Sequence, residues 1–391
     1  MIGDDEIGPL LAQARAAWAL DEHELARRAG TSVETLRSAE RGDAELSDLA
    51  AISAALGGSV DDLLRGRHFW EAPAVAFRSA SAQLEVALLR APVLRLARAA
   101  ADRDVLALLL DLPGPELEFG VQLGPVALGE DIIGQAEDLA EQVRRALGSG
   151  GEPIASVRAA MRRLGVPTFL CRFGIEEVDG LSWRGADGRA HAAANVDARR
   201  GALTALRMTL AHELCHVLFD GTRGQPFGLV EHRAEHAEAK EQRANAFAAY
   251  LLAPRALVYR FLRHRGVRSA DKPTSEHVLA LSEHCIMGVE AVAWHLVNCG
   301  LWERADVQGH RHLFTREQHG EDDLELRPTP AEELVPIERR GEILQLATLA
   351  LEGGLISAGR WRELVGVGAL DPWRRLLDER QVSRDLEHRS L

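Results

Sequence analysis

Cysteine is sparse in this sequence: four residues, Cys171, Cys215, Cys285 and Cys299, among 391. No Cys-x-x-Cys occurs, so no disulfide frame is expected, and the usage suits a reducing cytosol. Cys215 sits inside the strongest motif of the chain, where it reads as a small buried hydrophobe rather than a redox-sensitive group. Long apolar runs are missing too. Val105 to Leu112 is too short for a membrane span and is bracketed by Arg and Asp. The N-terminus, Met1 to Glu6, is acidic and lacks the apolar stretch of a signal peptide. Positive charge is short as well: 46 Lys and Arg against 59 Asp and Glu give a formal net charge of −13, which argues against a general nucleic-acid or anionic-membrane coat. A cytoplasmic protein with no membrane contact is the expectation. Apolar residues at 46% and charged ones at 27% are ordinary for a soluble globular protein, and the length allows two or three domains.

Against this background the stretch 208–219 stands out. It holds His-Glu-x-x-His, with His212 and His216 four residues apart and Glu213 beside the first. On an α-helix that spacing sends both imidazoles off one face, where they can hold one Zn²⁺ at about 2.0–2.1 Å. Glu213 then reaches the side of the metal where a water would bind, as general base rather than ligand. Met208, Leu210, Ala211, Leu214, Val217 and Leu218 make the helix apolar over most of its surface, and a buried helix rarely carries two His and a Glu without a purpose. A third protein ligand is needed. No third His follows soon after His216. The next helical stretch, 241–254, has apolar positions Ala244, Phe247, Ala248, Leu251 and Leu252 at helical spacing and is closed by Pro254. Glu241 lies on its inward face, and Asn245, one turn on, is placed to hold Glu241 or a His. Between the two helices, 221–228 reads as a turn-rich loop, followed by a solvated charged helix. That helix contains His232, Glu235, His236 and Glu238, which are rival ligands. One of these His, or Tyr250 or Tyr259, is a candidate to stabilise a tetrahedral intermediate.

Thr-Leu-Ala-His-Glu-x-x-His followed by Glu-x-x-Ala-Asn-x-Phe-Ala-Ala-x-Leu-Leu-x-Pro resembles the ImmA/IrrE family of zinc metallopeptidases. The resemblance implies His212, His216 and Glu241 as zinc ligands and Glu213 as catalytic base. It also implies a thermolysin-like site and a helix-turn-helix repressor or antitoxin as protein substrate. It further implies a small sheet leading into the metal helix. The strand candidates are 166–173, 179–183 and 190–196, the last two joined by a turn at 185–188, and the sheet edge could hold an extended substrate. The pair of helices 275–285 and 289–299 resembles the lid that follows the metal helices in that family.

Residues 7–66 read as five short helices, with a turn at Gly30-Thr31-Ser32 before the third and Ser47 capping the fourth. They resemble the XRE, or lambda-repressor, class of helix-turn-helix domains, in which the third helix enters the major groove. Residues 1–66 hold six arginines against thirteen carboxylates, a net charge of −7, whereas duplex binding draws on phosphate neutralisation. Only Arg27, Arg28, Arg37 and Arg41 are placed to face a DNA backbone, so double-stranded DNA and a protein partner are both open.

The expected fold class is mainly α with a small β-sheet (α+β). The expected domains are a helix-turn-helix domain at 1–66, a helical connecting segment at 67–129, a zincin-like peptidase domain at 130–302 and a C-terminal helical region at 303–391. In that last region, helices are expected at 338–351 and 356–365. The expected function is a zinc-dependent endopeptidase. The alternative is a transcription regulator or toxin–antitoxin component in which the zinc site is regulatory. A homodimer is left open.

Overall fold

The computed structural model describes residues 4–17, 20–56, 60, 63, 77–78, 86–112, 123–184, 189–198, 202–220, 227–232, 238–268, 271–314 and 334–367. Helix dominates, and one small sheet organises the centre, as expected for a mainly α chain with a little β. Among the described residues, no helix is long and apolar enough to cross a membrane.

Four helices open the chain: α1 (Asp4–Ala17), α2 (Glu22–Ala29), α3 (Val33–Glu40) and α4 (Leu46–Ala55). Local chemistry sets their ends. The Asp21 carboxylate accepts from Glu24 N at the start of α2, and the Ser32 hydroxyl accepts from Thr35 N at the start of α3. Between them Gly30 adopts φ +65°, the left-handed conformation that ends a helix at least cost without a Cβ. Leu11, Leu25, Leu36, Ile52 and Leu63 close a core of their own. Helix α4 starts at Leu46, with Leu49 N bonded to Glu45 O, so Ser47 lies inside the first turn and is not its cap. Of the expected fifth helix only Val60 and Leu63 are described, both helical.

The sheet has five strands in the order β1-β5-β3-β4-β2: β1 (Phe77–Arg78), β2 (Thr168–Cys171), β3 (Val178–Arg184), β4 (Ala190–Asn195) and β5 (Phe227–His232). Strand β3 runs antiparallel to both β4 and β5, while β1 and β2 lie parallel to their neighbours. Strands β2, β3 and β4 match the sequence reading. The two on the β1 side correct it. Residues 227–232 were expected to run from loop into a charged helix. They pair instead with the free side of β3, a six-residue segment being short for a helix but long enough to complete a ladder. The connecting segment likewise contributes a short strand, β1. The turn at 185–188 and the rival ligands Glu235 and His236 lie outside the described residues, as do residues 315–333 and 368–391 of the C-terminal region.

Side chains alternate across a strand, so β4 serves two cores. Ala190, Ala192 and Ala194 face one that is shared with α6 (Ile132–Ala146), α7 (Val157–Arg163), α8 (Leu203–Cys215), α9 (Ala239–Leu252), α10 (Arg255–His264), α11 (Ser275–Cys285) and α12 (Val289–Asn298). Ala193 faces the other. There Phe169, Leu181 and Trp183 pack against α5 (Val86–Leu109), α14 (Glu342–Glu352) and α15 (Ala358–Val365). A short α13 (Arg304–Gly309) follows α12. Segments far apart in sequence thus cover one sheet face together. Arg103 on α5 bonds Glu342 on α14 at 2.7 Å, and the buried Trp361 indole donates to Thr348 at 3.2 Å. The helical pair 275–285 and 289–298 falls where the sequence placed it, the first opened by a capping box of Thr274 and His277.

Candidate metal centre

Helix α8 carries His212 and Glu213 in its last turn, and His216 opens a π-helical turn, His216–Asp220. Such wide turns recur at functional sites because they re-aim side chains. Here the turn brings Asp220 back under His216. Helix α9 crosses α8 and offers Glu241 from its first turn. All three expected ligands are buried.

Their ligand atoms converge. His212 Nε2 lies 2.9 Å from His216 Nε2 and 3.0 Å from Glu241 Oε2, and His216 Nε2 lies 3.3 Å from Glu241 Oε1. Zinc bonds of about 2.0–2.1 Å at tetrahedral angles separate ligand atoms by about 3.3 Å, so the triangle is near the right size. Its chemistry fits as well. His212 Nδ1 is 3.2 Å from Asn245 Oδ1, and His216 Nδ1 is in close contact with Asp220 Oδ2. Both oxygens are acceptors, so each Nδ1 carries a proton, and in the neutral imidazole each Nε2 is left as a lone pair. Two lone pairs and a carboxylate facing one another repel unless positive charge stands between them. Burial alone would lower the His216 pKa, yet the carboxylates of Asp220 and Glu241 outweigh it and raise it to about 9. Burial alone would raise the Glu241 pKa, yet its bonds to the two imidazoles bring it well below the usual carboxylate range. The site therefore favours a cation, and the donor set of two imidazoles and one carboxylate suits zinc. Among the described residues no other group of three such side chains could hold a metal.

The surroundings hold this arrangement in place. Asn245 supports His212, deciding between the two roles the sequence left open for it. Asp220, which sequence reasoning missed, also pairs with Arg243, a fully buried guanidinium that further bonds Val126 O at 3.1 Å and Gln135 Oε1 at 3.2 Å. The signal for Asp220 was its place four residues after His216, and for Arg243 its place two residues after Glu241. Arg184 at the end of β3 donates to Val217 O at 2.6 Å, tying the sheet to the π turn.

Glu213 is fully buried beneath β3. A Cβ built on Gly180 would stand 2.6 Å from Glu213 Oε1 and 2.6 Å from Thr209 Cγ2, so glycine lets the strand backbone close over the carboxylate. Asn195, at the end of the neighbouring β4, holds the start of that strand: its Nδ2 donates to Val178 O and Ile175 O, each at 2.7 Å.

Residues 161–284 match the family model Peptidase_M78, described as the IrrE N-terminal-like domain. The match runs from β2 through β5 and α8, α9 and α10 into α11 and supports a metallopeptidase-type function for this part of the chain. A comparison with curated proteins finds no match.

Other expected site residues fall elsewhere. The Tyr250 hydroxyl donates to Asn298 O and the Tyr259 hydroxyl to Cys299 O, each at 2.9 Å, so both of these candidate hydroxyls are engaged at the end of α12. His232 is the last residue of β5, paired in register with Val178. Burial raises all four thiols, three of them to about 12 and Cys215 far above its usual value, in keeping with inert packing. Of the candidate DNA contacts, Arg27 and Arg28 both bond Glu24, at 2.7 and 2.6 Å, and Arg37 bonds Glu22 at 2.7 Å. Arg41, at the end of α3, is exposed.

Proposed function

We propose that this protein is a zinc-dependent endopeptidase acting on a protein substrate. One observation supports the reading above all: two imidazole lone pairs and a carboxylate converge in a buried site next to a second buried carboxylate that is not part of the triangle. His212, His216 and Glu241 would hold the ion, which when bound lowers the pKa of water towards about 7 and polarises a carbonyl. Glu213 accepts the proton of the attacking water and returns it to the amine of the leaving half. Asn245 and Asp220 keep the two imidazoles in the tautomer that presents Nε2. The Gly180 backbone leaves room for the Glu213 carboxylate to do this. A repressor or antitoxin is the substrate class that the resemblance in the motifs implies.

The test uses zinc-loaded protein and a peptide mixture prepared from denatured cell lysate, with new termini counted by mass spectrometry. The parent is expected to generate new termini and Glu213→Gln to generate none, both holding equal zinc. Full cleavage by Glu213→Gln would overturn the assignment.

A second reading assigns regulation to α1–α4, with the zinc site regulatory. Their helix-turn-helix arrangement is the basis for it, and the pairing of Arg27, Arg28 and Arg37 with glutamates favours a protein partner over duplex DNA. No duplex shift at low salt is expected. A shift that weakens with salt and with Arg37→Ala would restore DNA.

A further inference from the structure

We infer that Gln135 is a positioning residue for the metal centre: it acts through Arg243 and Asp220 to keep His216 aimed at the ion. The inference rests on the zinc site proposed above. Arg243 is fully buried and meets the Asp220 carboxylate on the π-helical turn. Arginine often grips a carboxylate with two parallel N–H donors, one to each oxygen. Here the grip is single. Nη2 donates to Asp220 Oδ1, and Oδ2 is left to His216 Nδ1. The cause lies on the far side of the guanidinium. Nη1 is held by two acceptors, Val126 O at 3.1 Å and Gln135 Oε1 at 3.2 Å. Arg243 Nε is buried with no hydrogen-bond partner among the described residues. A buried donor left unmatched is costly, so a guanidinium free to turn would bring Nε and Nη2 together onto Asp220. The anchor at Nη1 prevents that turn.

Gln135 is itself clamped. Its Oε1 also accepts from Gly129 N at 3.3 Å, and its Nε2 donates to Ala127 O at 2.8 Å. A flipped amide would set donor against donor at Arg243 and acceptor against acceptor at Ala127, so the clamp fixes which end faces the guanidinium. The same segment is tied to the π turn, where Val126 N donates to Phe219 O at 2.9 Å. Gln135 lies in the first turn of α6, and both it and residues 126–129 precede the matched stretch 161–284. The metal centre is therefore completed by a part of the chain that the family match does not reach. Without the Gln135 acceptor, Arg243 takes both Asp220 oxygens, and His216 loses the bond that sets its tautomer and ring orientation.

Zinc affinity of the full chain, measured by competition with a chelator, tests this. Loss of a direct partner of a metal-bound imidazole costs about 10–100-fold, so Gln135→Leu, acting one bond further out, is expected to cost about tenfold. Gln135→Met removes the same acceptor and serves as a second variant; each is compared below its melting temperature. Gln135→Glu keeps an acceptor for Arg243 and is expected to stay within about threefold of the parent. In the Arg243→Met background Gln135→Leu is expected to cost nothing more, because its effect passes through the guanidinium. A role in packing alone would lower the melting temperature and leave zinc affinity at the parent value. Parent-like affinity in the Leu and Met variants, an equal loss in Gln135→Glu, or the same tenfold loss in the Arg243→Met background would overturn the inference. A parent protein that binds no zinc would instead defeat the metal reading, and this inference with it.

Discussion

Helices α8 and α9 and the bundle α1–α4 are both built from short amphipathic helices, and both carry His, Arg, Asp and Glu on helical spacing. They use those residues in opposite ways. In the bundle, charges answer one another at the surface: Arg15 bonds Glu40 at 2.6 Å, Arg37 bonds Glu22, and Glu24 takes both Arg27 and Arg28. No ligand is needed to complete that pattern. At the crossing of α8 and α9 each imidazole has a partner that fixes its orientation, and its other nitrogen faces a common point with the Glu241 carboxylate. Taking such groups out of water is costly unless opposite charge compensates them, so a positive charge at that point stabilises the arrangement. Charged residues of the same type thus support a site in one region and surface neutrality in the other, and the difference lies in which atoms their partners leave unused.

Four substitutions probe this contrast. The largest effect is expected at Gly180, where Ala would push Glu213 and Thr209 aside. Cleavage should fall about 100-fold with zinc content unchanged, since a displacement near 1 Å of a catalytic group can cost that much. Retained cleavage would detach Glu213 from its assigned role. Next is Asp220→Asn, which takes the charge from the partner of His216 and Arg243. Zinc affinity, measured by competition with a chelator, should drop about 10–100-fold.

A smaller effect is expected at Asp104 on α5, which bonds Arg189 at 2.9 Å and Arg103 at 3.2 Å and lies 3.7 Å from the buried His191. Burial opposes its ionisation, but His191 and Arg189 outweigh that and hold its pKa at about 2, below the ordinary aspartate value of 3.8. A depressed carboxylate contributes stability that is complete above its unfolded pKa and is lost as pH falls through the folded one. The loss should therefore run from about pH 4 down to about pH 2 and amount to about 1–2 kcal/mol. Asp104→Asn should flatten that part of the melting-temperature profile, and an unchanged acid limb would contradict the pairing. The smallest effect belongs to the bundle. Glu22→Gln removes the partner of Arg37 at an exposed site, so no resolvable change in melting temperature is expected. Any gain in duplex affinity at low salt would show that the glutamate had been masking a DNA contact.

Much of the candidate site was legible because its signals are local. The spacing of His212 and His216 fixes a shared helix face, and Glu241 with Asn245 repeats the device on α9. The capping residue Ser32 likewise announces a helix start within a few positions. What was not legible depends on pairing across long separations. Residues 227–232 form a strand because β3 offers an open ladder, which no property of Phe227 to His232 alone reveals. Asp220 becomes a support for His216 only through a π-helical turn, and Arg243 joins it from another helix. What the tyrosine hydroxyls bond could be assigned only once the end of α12 was located. The packing of α5 with α14 and α15 over one sheet face joins residues more than 200 positions apart, beyond the reach of periodicity.

The central claim is that His212, His216 and Glu241 hold a metal that Glu213 does not ligate. Zinc per chain, measured on purified protein by elemental analysis after dialysis, tests it most directly. One ion per chain is predicted for the parent and for Glu213→Gln, and none for Glu241→Ala. Equal zinc in all three proteins, or loss of zinc from Glu213→Gln, would contradict it.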